Sequence, residues 1–231
     1  MALKDNLIRY YKFEETSGST VVDATTNSNG TYNGTYTVNQ TGKISKSTLY
    51  NTGYADLGQL PANFTTNSVS FWFKINGYIG GHVDMIAQFC WQNYYIRLFA
   101  HEYLSPTNTL FFDISGTSGG YNAGFAPNTG TWYHIVMITS GNICYIYING
   151  SLAASKSAAT YSPGAYNKTT LGVGWQTSSV DGAYCNCNVD ELAIWDRALT
   201  TTEVAELYNS GNGYEIPLSE TTNASFLLLM V

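Results

Sequence analysis

Apolar and polar positions alternate with a period of two along most of this 231-residue chain. The cleanest stretch is 68–75, where Val69, Phe71, Phe73 and Ile75 share one face of a strand and Ser68, Ser70, Trp72 and Lys74 the other. Shorter runs at 7–13, 49–57, 84–89, 94–100, 110–115, 131–139, 143–149, 171–175 and 182–195 bring the expected number of strands to roughly a dozen. Gly42-Lys43-Ile44-Ser45 reads as a short strand pairing with 49–57. Ser140-Gly141-Asn142 and Asn149-Gly150 are hairpin turns, the second of a kind that suits left-handed backbone. One helix is expected. Thr200 and Glu203 are spaced as a capping box, Leu199 and Val204 as a hydrophobic staple, and Val204, Leu207 and Tyr208 share a face, with Gly211 as the stop. Strands and helices do not alternate and no fixed repeat appears, which excludes doubly wound sheets and propellers. The expected fold is all-β: a two-sheet antiparallel jelly-roll sandwich with one short C-terminal helix, spanning 1–213, followed by a tail at 214–231.

Composition agrees with that reading. Aromatic residues make up 15% of the chain and charged residues 11%, a balance suited to twisted sheets joined by polar turns. A net charge of -6 argues against nucleic acid or an anionic membrane surface as a partner. The first residues carry no apolar signal core, and the longest apolar run, 226–231, is far shorter than the roughly 20 residues that span a bilayer. A soluble chain is expected, cytoplasmic before assembly and released by a route other than a standard signal peptide. Of the four cysteines, Cys144 reads as a buried free thiol, and Cys185-x-Cys187 lacks zinc or redox spacing.

Two places hold candidate chemistry. The loop from Asp23 through Asn27 and Asn29 can fold around a cation or form an ordinary Asx-turn, and both readings stand. Asp190-Glu191 interrupts the apolar run 189–195, where a carboxylate is costly unless paired, capped or metal-bound. In a regular strand these two point to opposite faces, and the residues alternating with Asp190 are Asn188 and Leu192. Neither can act as nucleophile or acid, so the paired carboxylates of a retaining glycosidase are not offered there. His134, between Tyr133 and Ile135 in a strand, is expected to be packed. Aromatic platforms for a ligand are sought in or near loops, at Trp91, Tyr94, Tyr95, Tyr121, Trp175 and Tyr184.

Several motifs occur in one order: Tyr11-Lys12-Phe13-Glu14-Glu15-Thr16-Ser17-Gly18, then Gly42-Lys43-Ile44, then Ser68-Val69-Ser70-Phe71-Trp72-Phe73-Lys74. Thr131-Trp132-Tyr133-His134-Ile135-Val136 and Tyr145-Ile146-Tyr147-Ile148-Asn149-Gly150 follow, and 189–211 closes the series. In this the chain resembles the laminin-G-like jelly rolls of the concanavalin A-like lectin/glucanase superfamily, in the branch common in bacterial surface proteins and phage fibres. The resemblance implies a structural calcium ion held by Asp23, Asn29 and Asp190, with backbone carbonyls near Asn27, tying the two chain ends together. It also implies a non-enzymatic binding or adhesion module, for carbohydrate or a protein surface. The expected setting is a phage or virus particle, as a capsid decoration, head-fibre or tail-fibre protein on the virion or extracellular surface. There, Phe226, Leu227, Leu228 and Leu229 would contact other virion subunits or further copies of the chain. A purely structural virion protein and a glycoside hydrolase are the alternatives.

Overall fold

The computed structural model describes residues 1–61, 65–79, 83–91, 94–101, 108–114, 121–157, 168–176 and 179–218, with the backbone alone for Tyr94, His101, Trp175 and Gln176. Among these lie sixteen strands. The first six are β1 (Leu7–Tyr11), β2 (Thr20–Val21), β3 (Gly30–Thr41), β4 (Lys46–Asp56), β5 (Thr66–Gly77) and β6 (Val83–Trp91). Next come β7 (Tyr94–His101), β8 (Thr109–Ile114), β9 (Tyr121–Asn122), β10 (Trp132–Ser140), β11 (Ile143–Ile148) and β12 (Ser151–Ser157). The last four are β13 (Thr170–Leu171), β14 (Val173–Gln176), β15 (Ser179–Tyr184) and β16 (Asn186–Trp195). Helix α1 (Thr201–Tyr208) and a single 3-10 turn (Asn209–Gly211) follow.

Antiparallel pairing runs β12-β11-β10-β5-β16-β4-β13-β6-β7-β8-β9, with β1 beside β16 and β3 beside β4, while β14 and β15 form a separate hairpin. The long sheet folds over at β4, which pairs with β16 at Thr48 to Tyr50 and with β13 at Ala55 and Asp56. Two glycines facing each other, Gly34 and Gly53, make this corner possible. Gly34 has φ 71°, and a Cβ on Gly53 would overlap the Thr35 backbone. Phe71, Phe73, Ile135, Val189 and Leu192 from one half meet Phe89, Trp91, Leu98 and Phe112 from the other in a shared core, with the Phe71 and Phe89 rings 5.8 Å apart. At the seam, Lys156 of β12 lies 4.1 Å over the ring of Tyr121 on β9, joining the two ends of the strand path by a cation–π contact.

Strand β16 departs from regular alternation. Its inward residues are Cys187, Val189, Leu192 and Ile194, so two positions separate 189 from 192 where alternation would need one or three. Against β5, Asp190 faces Trp72 and Ala193 faces Ser70, a bulge of one extra residue. Glu191 accommodates it at φ 52°, a conformation that favours glycine. The expectation that Asp190 and Glu191 face opposite sides of a regular strand is therefore corrected. The bulge keeps both acids out of the shared core, on the side where Tyr10, Trp195 and α1 pack.

Helix α1 closes that side. Thr200 and Glu203 form the reciprocal cap, while Leu199, Val204 and Leu207 bury against Val136, Ile138 and Trp195. Arg197 donates to both oxygens of Glu203 and to the carbonyls of Asp5 and Ala2, fixing the start of the chain beside the helix. Burial opposes ionisation of Glu203, but Arg197 and the Thr200 amide and hydroxyl outweigh it and hold its pKa down to about 2. The helix stops at Asn209, left-handed at φ 49°, two residues before the expected Gly211.

Four strands escaped the sequence pattern. β2 and β9 are only two residues long, β3 is nearly all polar and half exposed, so it shows no apolar periodicity, and β12 mixes serine, alanine, leucine and lysine at an exposed edge. Gly42-Lys43-Ile44-Ser45 is the turn between β3 and β4 rather than a strand. Gly42 N–H donates to the Ser45 carbonyl at 3.1 Å, and a Cβ on Gly42 would overlap the Lys46 backbone.

Glu203→Ala removes the Glu203 half of the capping box and leaves the half-buried Arg197 guanidinium without its carboxylate. Urea unfolding is expected to show a loss of about 2–4 kcal/mol, against about 1 kcal/mol for Thr200→Ala, which removes the cap alone.

Candidate ligand-binding face

On the half of the sheet away from α1, five polar residues face one another in successive registers. Asp56 of β4 lies opposite Thr170 of β13, Thr170 opposite Gln88 of β6, Gln88 opposite Arg97 of β7, and Arg97 opposite Asp113 of β8. Their sequence neighbours Ala55, Leu171, Phe89, Leu98 and Phe112 belong to the shared core, so the polar row stands on the outer face. Lys168 pairs with Asp56 at one end and Arg97 with Asp113 at the other. Between them the Gln88 amide donates to the Lys168 carbonyl at 3.2 Å, and the Thr170 hydroxyl to the Val173 carbonyl at 2.7 Å.

Aromatic and apolar side chains flank the row. Met85, Phe99 and Phe111 align across β6, β7 and β8 as a separate cluster, with the two phenyl rings stacked 5.7 Å apart at 12°. On the other flank the Arg97 guanidinium lies 5.1 Å from the Tyr95 ring centroid. Tyr54, two residues before Asp56 on β4, has its phenol pKa raised by partial burial and by the charge of Asp56, with Lys168 opposing and Tyr184 adding to the rise. Tyr54, Asp56, Lys168, Tyr184 and Arg97 are half-buried, whereas Gln88, Thr170, Asp113, Phe99 and Phe111 are buried. The outer face of an antiparallel sheet is usually solvated. This one concentrates ion pairs, an amide and a hydroxyl between aromatic walls, the mixture that fixes a polar ligand with apolar faces.

The aromatic residues singled out from sequence do not form one site. Trp91 is 1% exposed and packs in the shared core against Phe89, so it cannot serve as a surface platform. Its parity along β6 points it inward. Tyr95 borders the polar row, Tyr184 stands at the half-buried end, and Tyr121 is held under Lys156 at the seam. The side chains of Tyr94 and Trp175 lie outside the described residues. Gln88, Arg97 and Asp113 went unnoticed because each is a single polar residue in a different strand. Alignment across strands is a property of register, which no local pattern states.

The acidic residues expected to hold calcium have other partners. Asp23 Oδ1 accepts from the Tyr10 and Thr25 amides and the Thr25 hydroxyl, Oδ2 accepts from the Ser28 amide, and Arg9 Nε stands 3.8 Å away. Asn29 accepts from the Asp23 amide at 2.9 Å. Asp190 Oδ2 accepts from the Lys43 and Ile44 amides at 2.7 and 2.9 Å, while Oδ1 makes no hydrogen bond. Strand β1 runs between the Asp23 loop and β16. Donors and a guanidinium fill the first of these sites, which does not fit a shared cation. Among the described residues no group of three or more His, Cys, Asp or Glu side chains is placed to hold a metal.

Asp190 and Glu191 are both buried. Burial lifts Asp190 to a pKa of about 8 against its amide donors, with the charge of Glu191 adding to the rise. Burial likewise lifts Glu191 to about 8, opposed by the Tyr10 hydroxyl that donates to it. The same hydroxyl accepts from the Ile216 amide at 3.1 Å, so this pair ties the C-terminal segment to β1. The Ser70 hydroxyl meets His134 Nε2 at 2.8 Å, but the pair is buried and Nδ1 makes no hydrogen bond. Burial drops His134 to about 3, and Trp72 and Tyr208 pack against its ring. It is a packed histidine, as expected.

A family model described as the concanavalin A-like lectin/glucanases superfamily matches residues 49–205, which take in the whole polar row and most of α1. Adhesion G-protein coupled receptor D1 of Bos taurus is 30% identical over 102 residues, 44% of this chain but 11% of that receptor's length. Among solved structures, Domain 4 of AbnA, a GH43 extracellular arabinanase from Geobacillus stearothermophilus in complex with arabinotriose, superposes with a TM-score of 0.65. It is 24% identical, over 90% of this chain and 98% of that one. The binding domain of Botulinum Neurotoxin DC in complex with SialylT gives 0.64 at 17% identity, over 90% of this chain and 52% of that one. At these identities the structures speak for the fold.

Two predictions follow from the carboxylates. Asp190 and Glu191 have folded pKa values above their unfolded ones, so their contribution is full at low pH and is lost as pH rises towards 8. Unfolding free energy is expected to fall by up to about 1.4 kcal/mol per pH unit for each group between pH 5 and 8, and Glu191→Gln should flatten the slope. Thermal melts with millimolar calcium or with chelator are expected to coincide. A calcium-dependent rise in melting temperature would restore the metal to the Asp23 loop.

Proposed function

We propose that this chain, which belongs to the concanavalin A-like lectin/glucanases superfamily, is a non-catalytic module that binds carbohydrate on the outer face of β6, β7 and β8. The observation that carries this reading is the cross-strand row Asp56, Thr170, Gln88, Arg97 and Asp113 between aromatic walls. Carboxylate, amide and guanidinium groups hydrogen-bond sugar hydroxyls, while tyrosine and phenylalanine rings cover the C–H faces. The arabinotriose and SialylT of the two structural neighbours lend the ligand class support.

Binding without hydrolysis agrees with how the acids are used. Asp190 and Glu191 are turned to the helix side, under the 42–45 turn and Tyr10, where they close the fold. A second reading, in which the face serves packing alone, draws on the burial of Gln88, Asp113, Phe99 and Phe111.

Extracellular display, on a virus particle in the narrowest form of the proposal, would draw on Phe226 to Leu229, which lie outside the described residues. Among the described residues no helix is long and apolar enough to cross a membrane. Deletion of 226–231 is expected to abolish particle association, and unchanged assembly would remove the anchoring role.

Arg97→Ala separates binding from packing. Titration calorimetry against the best saccharide from a glycan array is expected to show affinity reduced at least tenfold, about 1.4 kcal/mol. Absence of saturable saccharide binding by the unaltered protein would leave packing as the role of the face.

A further inference from the structure

Among the described residues of the row, charge is balanced pair by pair. Lys168 meets the Asp56 carboxylate and Arg97 meets that of Asp113, and the row between them holds the uncharged Thr170 and Gln88. Tyr54 and Tyr184 at the half-buried end are phenols, and partial burial, with the charge of Asp56 adding, disfavours ionisation of Tyr54. Beyond the face, the chain carries a net charge of -6.

A carboxylated or sulfated ligand would have to take a cation from its carboxylate and then lie beside the displaced anion. Such a like-charge contact in a half-buried setting is unfavourable. A neutral polyol meets no such obstacle. Its hydroxyls donate to the half-buried Asp56 and accept from Lys168 or Arg97, leaving each ion pair intact and the buried Asp113 partnered.

We infer that this face selects neutral oligosaccharides over anionic ones. The inference rests on the carbohydrate-binding reading above and adds the class of sugar. It assigns Asp56 and Asp113 as specificity-determining residues: each rejects an anion by already neutralising the cation that would attract it.

The test uses the full chain at about 0.15 M salt, where surface steering is screened. Arabinotriose and other neutral oligosaccharides are compared with sialyllactose and an oligogalacturonate by calorimetry. Neutral ligands are expected to bind roughly tenfold more tightly or better. Asp113→Asn and, separately, Asp56→Asn each free one cation and should raise the ratio of anionic to neutral affinity by roughly tenfold. Asp56, at the half-buried end, supplies the result if Asp113→Asn does not fold, as checked by its melting curve. Tighter binding of the acidic sugars, or a ratio unmoved by a folded variant, overturns the inference while the binding reading survives. No saturable binding of any sugar overturns the binding reading and this inference with it.

Discussion

A single inserted residue in β16 fixes how the two ends of the chain come together. Core side chains at 187, 189, 192 and 194 must all face inward, and the acids at 190 and 191 must not. Regular alternation would send one of them into a core of phenylalanine, leucine and valine, at the cost of burying an unpartnered carboxyl. The left-handed Glu191 resolves the conflict. It keeps both acids on the helix side, where the 42–45 turn supplies two amides to Asp190 and Tyr10 supplies a hydroxyl to Glu191. Gly42 completes the fit, since a Cβ there would stand 2.7 Å from the Asp190 carboxylate.

Closure on that side releases the other. Helix α1, the first residues and Ile216 all pack on one face of β5, β10 and β16 through Trp195, Leu199 and Leu207. Trp195 donates to the Leu3 carbonyl at 2.6 Å, binding the start of the chain to its last strand. The opposite half of the sheet, β6 to β8, is left to carry polar and aromatic rows that the closure does not require. Closure and candidate site therefore use different residues, with Gln88, Thr170, Asp113, Phe99 and Phe111 of the face buried in their own right.

Legibility in the sequence followed locality. Strand β5, the hairpin turn at Asn149-Gly150 and the Thr200–Glu203 cap were visible because each is written in neighbouring residues. β3 was not, because a corner strand half exposed to water needs tyrosine, threonine and glycine rather than alternating apolar residues. The bulge at Glu191 was hidden for another reason: glycine would advertise a left-handed residue, and a glutamate does not. Of the candidate aromatics, Trp91 sits beside a loop in sequence yet points inward, since its direction is set by the parity of β6. The row from Asp56 to Asp113 spans five strands, and only the pairing register brings its members together.

That register also bears on why the row is there. A buried ion pair such as Arg97–Asp113 is weak grounds for stability, because the cost of desolvating two charges offsets much of their attraction. An apolar pair of similar volume would join β7 to β8 as well or better, and the neighbouring Phe99–Phe111 stack shows that this face accepts one. The polar row runs beside that stack with a lysine–aspartate pair at one end and an arginine–aspartate pair at the other. Packing alone does not require such a row, and under the proposed function a ligand dense in hydroxyl groups would use it. The same pairing that makes the row expensive for stability makes it electrically neutral, so the feature that argues for a ligand also argues for an uncharged one.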